Sequence, residues 1–318
     1  MREAINKGRG EMRNAFFACL LVFCFENMSG KPGTAAANAI SGLMILHDLI
    51  TKTEDNCLLN SRRKRRWEQH NIEDDVILAL VGLNLHVVFF VDGRREAFHQ
   101  IYIESSNSAT SSMPKELRSQ QTARQFWAPK RASPATMMKM ARRKMGQIYP
   151  PGINMFFTLK EPPMDMFPDV LRYREDVRRW KRASATVFDH VWKRGTQEER
   201  TAVCLLQIHK LMAHIMLAGA FCTTQTAYDQ FFPEYQKIME LVEYVYPHLV
   251  EAKHGEPLYR FDLGIIIAMF LVGVRYRDKA TRDSSAHLLN LNKEYREGMW
   301  DTGSAGAIVS RREKSKMG

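Results

Sequence analysis

The chain has 318 residues, 45% hydrophobic and 25% charged, which is enough apolar material for a sizeable core and excludes a chain disordered by composition. With only 18 Gly and 12 Pro it is not collagen-like, low-complexity or stitched by many tight turns, and its 18 Met favour helices. The 46 Lys and Arg against 35 Asp and Glu give a formal net charge of +11, which suits a polyanionic partner such as nucleic acid or an anionic membrane and identifies neither.

From Glu3 to Phe25 the pattern is helical and ends in a fully apolar half, so that half is expected to be buried on most sides. The apolar run Ala15 to Phe25 is 11 residues long, against the roughly 20 that a membrane-spanning helix needs. Arg2, Lys7, Arg9 and Arg13 before it, and Ala35-Ala36-Ala37-Asn38-Ala39 after it, have the form of a secretory signal. Glu3, Glu11 and the polar stretch from Glu26 to Gly33 argue against one. Thr34 is placed to cap a second helix to about Leu49, so that residues 1–55 are expected to form an antiparallel helix pair.

Residues 56–72 contain Arg62-Arg63-Lys64-Arg65-Arg66, five consecutive positive charges that cannot be buried unpaired. The segment is expected to be an exposed linker, and the run has the form of a nuclear-localisation signal. In residues 73–104 the apolar positions Val76, Leu80, Leu83, Val87 and Phe90 step by 4, 3, 4 and 3, the spacing of one helix face. Glu73-Asp74-Asp75 suits the positive end of that helix. The competing pattern is a hairpin, Leu85 to Val91 and Phe98 to Ile103 around Asp92-Gly93; helix, loop and short helix is preferred.

Residues 105–168 hold eight of the twelve prolines and two Ser-Ser pairs, which predicts a connector with short helices, notably Pro134 to Ile148, rather than a packed layer. Helical spacing returns in residues 169–301: Val177, Trp180, Ser184, Val187 and Val191; Leu205, Ile208, Met212 and Ile215; Ile238, Val242, Val245 and Leu249. A last helix is expected from Phe261 to Val274, continuing to Leu291. Residues 302–318 read as a flexible basic tail.

The chemistry-bearing side chains form no recognised constellation. His209 and His214 lie five apart, as do Cys19 and Cys24, which is not the one-turn spacing of a helical zinc pair. The five cysteines, Cys19, Cys24, Cys57, Cys204 and Cys222, are odd in number and widely spaced, and read as reduced core thiols of a cytosolic or nuclear protein. Local signatures of metal hydrolysis, acyl transfer and nucleotide hydrolysis are absent from the sequence. Gly303-Ser304-Ala305-Gly306 reads as a flexible segment and Asp74-Asp75 as a helix start. The basic, aromatic-bearing stretch Arg178-Arg179-Trp180-Lys181-Arg182 could track a nucleic-acid backbone, but its periodicity buries Trp180 and leaves the cations in solvent.

Two stretches resemble a known family. Phe16 to Gly30 (FFACLLVFCFENMSG), with Ala39-Ile40-Ser41-Gly42-Leu43 and Leu46, resembles a helix pair in the regulatory region of fungal zinc binuclear cluster transcription factors. Arg275-Tyr276-Arg277-Asp278, Arg282, Ala286-His287-Leu288-Leu289 and Arg296-Glu297-Gly298-Met299-Trp300-Asp301 are similar to the end of that region. The positions that carry the resemblance are Cys19, Glu26, Gly30, Gly42, Arg277, Asp278, Arg282, Arg296, Glu297, Gly298, Trp300 and Asp301. The sequence departs from the family in holding no six-cysteine cluster, in Tyr276 where a Cys is usual, and in its basic ending.

The resemblance implies an all-α, irregular multi-helix regulatory domain of antiparallel helix pairs, without catalytic residues. It implies a nuclear protein acting on gene expression through the transcription machinery or a homodimer partner, with DNA reached only indirectly, no membrane and room for a small effector. No cofactor is expected in this chain, and zinc only with an N-terminal cluster. The alternative is a helical small-molecule-binding protein or an enzyme of unknown reaction.

Overall fold

The computed structural model describes residues 9–51, 72–90, 96–144, 161, 163–250 and 259–314. They are all-α, with one minimal sheet, and the chain divides into two compact units. The first comprises residues 1–153 and 172–186, the second residues 154–171 and 187–318. The basic run Arg62 to Arg66 and Cys57 lie outside the described residues.

The first unit opens with a helical hairpin, α1 (Arg9–Met28) and α2 (Pro32–Thr51). Gly30 stops α1: its φ of 73° is the left-handed conformation that ends a helix, and the next N–H, of Lys31, returns to the Glu26 carbonyl at 2.8 Å. Pro32 then opens α2, where its missing N–H costs nothing. Phe16, Cys19 and Phe23 are buried with Ala35, Ala36, Ala39, Leu43 and Leu46. Helix α3 (Asp74–Phe90) begins with Asp74 and Asp75 and buries Leu80, Leu83 and Val87. It runs unbroken to Phe90, and α4 (Glu96–Ser111) follows, so the hairpin alternative for this stretch is set aside.

Residues 105–144 correct the expectation of a loosely packed connector. Helices α4, α5 (Gln120–Arg131) and α6 (Ser133–Lys144) bury Met113, Leu117, Ala123, Trp127, Met137, Met138 and Ala141. The prolines misled because they sit where helices tolerate them. Pro134 falls in the first turn of α6. Pro129 lies in the last turn of α5, where its carbonyl accepts the Tyr102 hydroxyl at 3.0 Å. Ser119 caps α5 by accepting from the Thr122 N–H at 3.1 Å. The rest of the expected connector, up to residue 160, and Met145 to Ile148 of the expected short helix, lie outside the described residues.

Helix α7 (Phe167–Arg194) contributes residues 172–186 to this unit. Trp180 packs against Trp127 with ring centroids 4.8 Å apart, and its indole N–H donates to the Ala123 carbonyl at 2.9 Å. In the last turn of α5 Lys130 is buried, with its ammonium 2.7 Å from Asn107 Oδ1 and 2.5 Å from Asp176 Oδ2. Burial pushes its pKa down, and Asp176 acts against that shift. A buried pair of this kind is costly to break from one side. Asp176→Asn should therefore lower stability by about 3–5 kcal/mol, measured by urea unfolding, whereas Lys130→Met with Asp176→Asn together should recover most of the loss. A double variant no better than the single one would mean that the two charges are not coupled.

In the second unit α8 (Gln197–Gly219) starts with a capping box: Thr196 N–H donates to Glu199 Oε2 at 2.8 Å and Glu199 N–H to Thr196 Oγ1 at 3.3 Å. By length and composition α8 could cross a membrane; Val203, Cys204, Ile208 and Ile215 are buried in the unit. Helix α9 (Phe232–Val250) buries Tyr235, Ile238, Val242, Val245 and Leu249. Helix α10 (Ile266–Arg275) is buried at all ten positions. The expected single helix to Leu291 is in fact two: the chain breaks at Tyr276 to Asp278, where Asp278 caps α11 (Lys279–Leu291) by accepting from the Thr281 N–H at 2.8 Å.

The sheet has three two-residue strands, β1 (Tyr259–Arg260), β2 (Arg296–Glu297) and β3 (Trp300–Asp301), in the order β1-β2-β3. Strand β1 is parallel to β2, with Tyr259 opposite Arg296, and β2 is antiparallel to β3, with Glu297 opposite Trp300. Residues 302–314 correct the expected flexible tail: they form helix α12 (Thr302–Lys314), with Ala305 and Val309 buried. Val309 comes so close to α10 that a Cβ on Gly273 would stand 2.6 Å from it.

Candidate functional site

Of the residues singled out in the sequence, those of the first stretch belong to the first unit and those of the second stretch to the second. Cys19 and Gly42 meet: a Cβ on Gly42 would stand 3.1 Å from the Cys19 Cβ, so glycine there lets α2 lie close on α1. Glu26 supplies the carbonyl that closes the turn at Gly30.

In the second unit the centre is the Glu297 carboxylate, wholly buried. It accepts from the Ile265 N–H at 2.7 Å, the Ile266 N–H at 2.9 Å and the Tyr295 hydroxyl at 2.7 Å. These backbone groups open α10, whose N-cap, Ile265, has no side chain able to accept. Burial raises the carboxyl's pKa, while the donors around it pull it back. Gly264 makes room: a Cβ there would stand 2.3 Å from Glu297 Oε1. Gly298, with φ 55°, turns the chain from β2 into β3, and Trp300 lands on Phe270 of α10 at 5.5 Å. Glu297→Gln turns an amide N–H toward a backbone N–H and should cost about 1–3 kcal/mol; Gly264→Ala should cost at least as much, because the clash is with a held carboxylate. Chemical denaturation followed by circular dichroism checks both, and a loss below the measurement error in either would remove Glu297 from this central role.

The remaining motif residues tie α10, α11 and α12 together. Arg277 pairs with Asp229 at 2.7 Å, and Arg282 Nη1 donates to the Arg277 carbonyl at 2.7 Å. Asp301 accepts from the Ser304 N–H at 2.6 Å and so caps α12. Arg296 is half-buried in β2.

Sequence reasoning missed Arg275. It ends α10, only 3% exposed, with its guanidinium carbon 4.2 Å from the centroid of the Tyr228 ring. Its Nη1 is buried without a hydrogen-bond partner, as is the Tyr235 hydroxyl. Among the described residues no carboxylate pairs with it; Asp229, beside Tyr228 in the chain, is committed to Arg277. The groups that favour its charged form are the side chains of Tyr228 and Tyr235 and the Cys222 thiol; burial raises the pKa of Tyr235 and of Cys222. Burial lowers its pKa, yet a guanidinium keeps its proton in proteins. Holding an unpaired charge out of water costs several kcal/mol. A cation–π contact returns about 0.5–2 and the C-terminal end of α10 about 0.3–1 kcal/mol, and the Tyr228 side chain adds a hydrogen bond, but among the described residues no opposite charge meets the guanidinium. The signal in the sequence is weak: an Arg at the end of an otherwise apolar run, Leu263 to Val274, cannot be told from a solvent-facing helix end.

Other candidates have structural roles. His209 is buried, its Nε2 paired with the Gly264 carbonyl oxygen at 3.0 Å; His214 stands edge-on to Phe231 at 5.8 Å, beside Glu234. Arg178 and Arg182 both reach Glu175, at 3.4 and 3.1 Å, on the exposed side of α7. Cys19, Cys204 and Cys222 are buried, Cys24 is half-buried, and none is in a disulfide. Among the described residues no group of three metal-ligating side chains comes together.

Burial pushes the Cys204 thiol up to about 11, with Lys237 acting weakly the other way. An unfolded thiol ionises near pH 9, so between pH 9 and 11 the unfolded chain releases a proton that the folded chain keeps, and stability falls as pH rises through that window. Cys204→Ala should lose less stability than wild type between pH 8 and pH 10.5 in urea titrations; equal losses would show that this thiol does not govern the alkaline limb.

Compared with protein-family models, with curated proteins and with solved structures, the chain gives no match.

Proposed function

We propose that this chain is a non-enzymatic regulatory module that acts on gene expression in the nucleus through protein contacts, as its resemblance to the regulatory region of fungal zinc binuclear cluster transcription factors implies. One observation carries the reading. In the second of the two resembling stretches, Asp278, Arg282, Glu297, Gly298, Trp300 and Asp301 are all spent on holding helix ends and turns. A motif used this way specifies a packing, and a packing with two arrangements can be biased by a partner or effector that prefers one of them. DNA would be reached through the partner, and the exposed cations of α7 would remain a solvated face.

The test is a tethering assay. The full chain, fused to an unrelated sequence-specific DNA-binding domain, should raise or lower a reporter several-fold relative to the DNA-binding domain alone, and Glu297→Ala should abolish the change. A nuclear, folded fusion that leaves the reporter untouched would sink the regulatory reading.

A further inference from the structure

Two buried polar groups of the second unit each have an atom without a hydrogen-bond partner and belong to one neighbourhood. Arg275 lies across the Tyr228 ring at 4.2 Å with Nη1 unpartnered, and Tyr235, fully buried, offers a hydroxyl with no acceptor. Tyr228 is held in place, because its own hydroxyl donates to the Gly219 carbonyl at 2.8 Å and Gly219 leaves room for the ring. Tyr235 is held by Tyr276, ring to ring at 4.9 Å, and Tyr276 by Phe232 at 4.9 Å. The result is a fixed cation and a fixed O–H donor set among aromatic faces. The fold has a carboxylate next to Tyr228 in the chain, Asp229, and pairs it with exposed Arg277 instead.

We propose that Arg275 anchors a binding site for a small organic carboxylate carried on an apolar body, with the Tyr235 hydroxyl as second donor and the Tyr228 ring as the platform behind the guanidinium. Charge balance selects the class. One guanidinium in a dry site neutralises one negative charge, and its planar fork matches a carboxylate in two parallel hydrogen bonds. A dianionic phosphate would bring a second charge with no cation to meet it. The aromatic lining supplies contact for the body of the ligand, as in most small-molecule sites, where a few polar groups fix orientation within an apolar wall. The proposal gives a chemical class to the effector of the regulatory reading, but its geometry does not depend on that reading, and its test is binding alone.

Formate, acetate and benzoate are titrated separately into the purified full chain, with inorganic phosphate, sodium chloride and neutral benzyl alcohol as controls, and binding is followed by thermal shift and calorimetry. Benzoate should bind saturably and raise the melting temperature, more strongly than acetate or formate, and the controls should not. Tyr235→Phe should weaken benzoate by about 3- to 10-fold and Arg275→Met by about 10- to 100-fold. Without ligand, Arg275→Met should melt no lower than wild type, because it removes a buried charge that the fold leaves unpaired. The proposal is overturned if no carboxylate binds, if phosphate or chloride reproduces the effect, or if both variants bind benzoate like wild type. It is also overturned if Arg275→Met unfolds or melts well below wild type, since the fold itself would then be satisfying the guanidinium. A binding failure with an intact reporter response would remove this site and leave the regulatory reading standing.

Discussion

A helix buried on every side has to begin somewhere dry, and the second unit is built around that requirement. The ten residues of α10 lie in the interior, so its first N–H groups cannot turn to water. Glu297 meets them with a carboxylate brought from 31 and 32 positions further along the chain. Each neighbouring feature follows from delivering that group. Gly264 clears the space, β2 runs beside β1 to set the height of Glu297, Gly298 turns the chain back, and Trp300 closes over Phe270. With the hairpin placed, Thr302 donates to the Asn292 and Tyr295 carbonyls, and α12 descends along the groove that Gly273 leaves open.

Among the described residues each unit buries one Lys or Arg, and the two are treated differently. In the first, Lys130 has a carboxylate and an amide oxygen within hydrogen-bond distance, so its desolvation is compensated and its loss of one partner is expensive. In the second, Arg275 has an aromatic face and a helix C-terminus, which are weaker substitutes. The first arrangement fixes a packing, because only one docking of α4, α5 and α7 brings Asn107, Lys130 and Asp176 together. On the proposed reading, the second leaves free energy to be gained by a carboxylate that fits the guanidinium.

Periodicity was legible where a helix has one wet face. Val177 to Val191 announces itself at 3-4 spacing because half of each turn is polar, whereas α3 shows the same spacing in Val76, Leu80, Leu83 and Val87 although it is buried at nearly every described position from 76 to 88. Residues 105–144 were not legible: composition counts prolines without saying where in a helix they fall, and Pro134 at a helix start is neutral where the same residue mid-helix would be disruptive. The tail was misread for a related reason. Gly303 and Gly306 suggest freedom, yet Gly306 faces Asn290 at the distance of close packing, and small residues are what let α12 approach α11. The roles of Glu297 and Arg275 lay beyond any local pattern, since both depend on groups more than 30 residues away, in Ile265 and Ile266 for the one and in Tyr228 and Tyr235 for the other.

Arg275 also stands at a hinge in the covalent chain. It is the last residue of α10, and within three positions the backbone leaves that helix, passes Tyr276 and Arg277, and enters α11 at the Asp278 cap. Arg282 reaches back to the Tyr276 and Arg277 carbonyls across this break. A charge supplied to Arg275 therefore acts where two helices are joined, by the Arg282 hydrogen bonds and by the buried one in which the Ser285 hydroxyl donates to the Met269 carbonyl at 2.6 Å. By mass action a ligand present at 100 times its dissociation constant stabilises the state that binds it by about 2.7 kcal/mol, which is larger than the net worth of those individual hydrogen bonds, about 0.5–1.5 kcal/mol each. On the proposed reading, occupancy at Arg275 bears on the junction of α10 and α11, which lies within the second of the two stretches that resemble a transcriptional regulatory region.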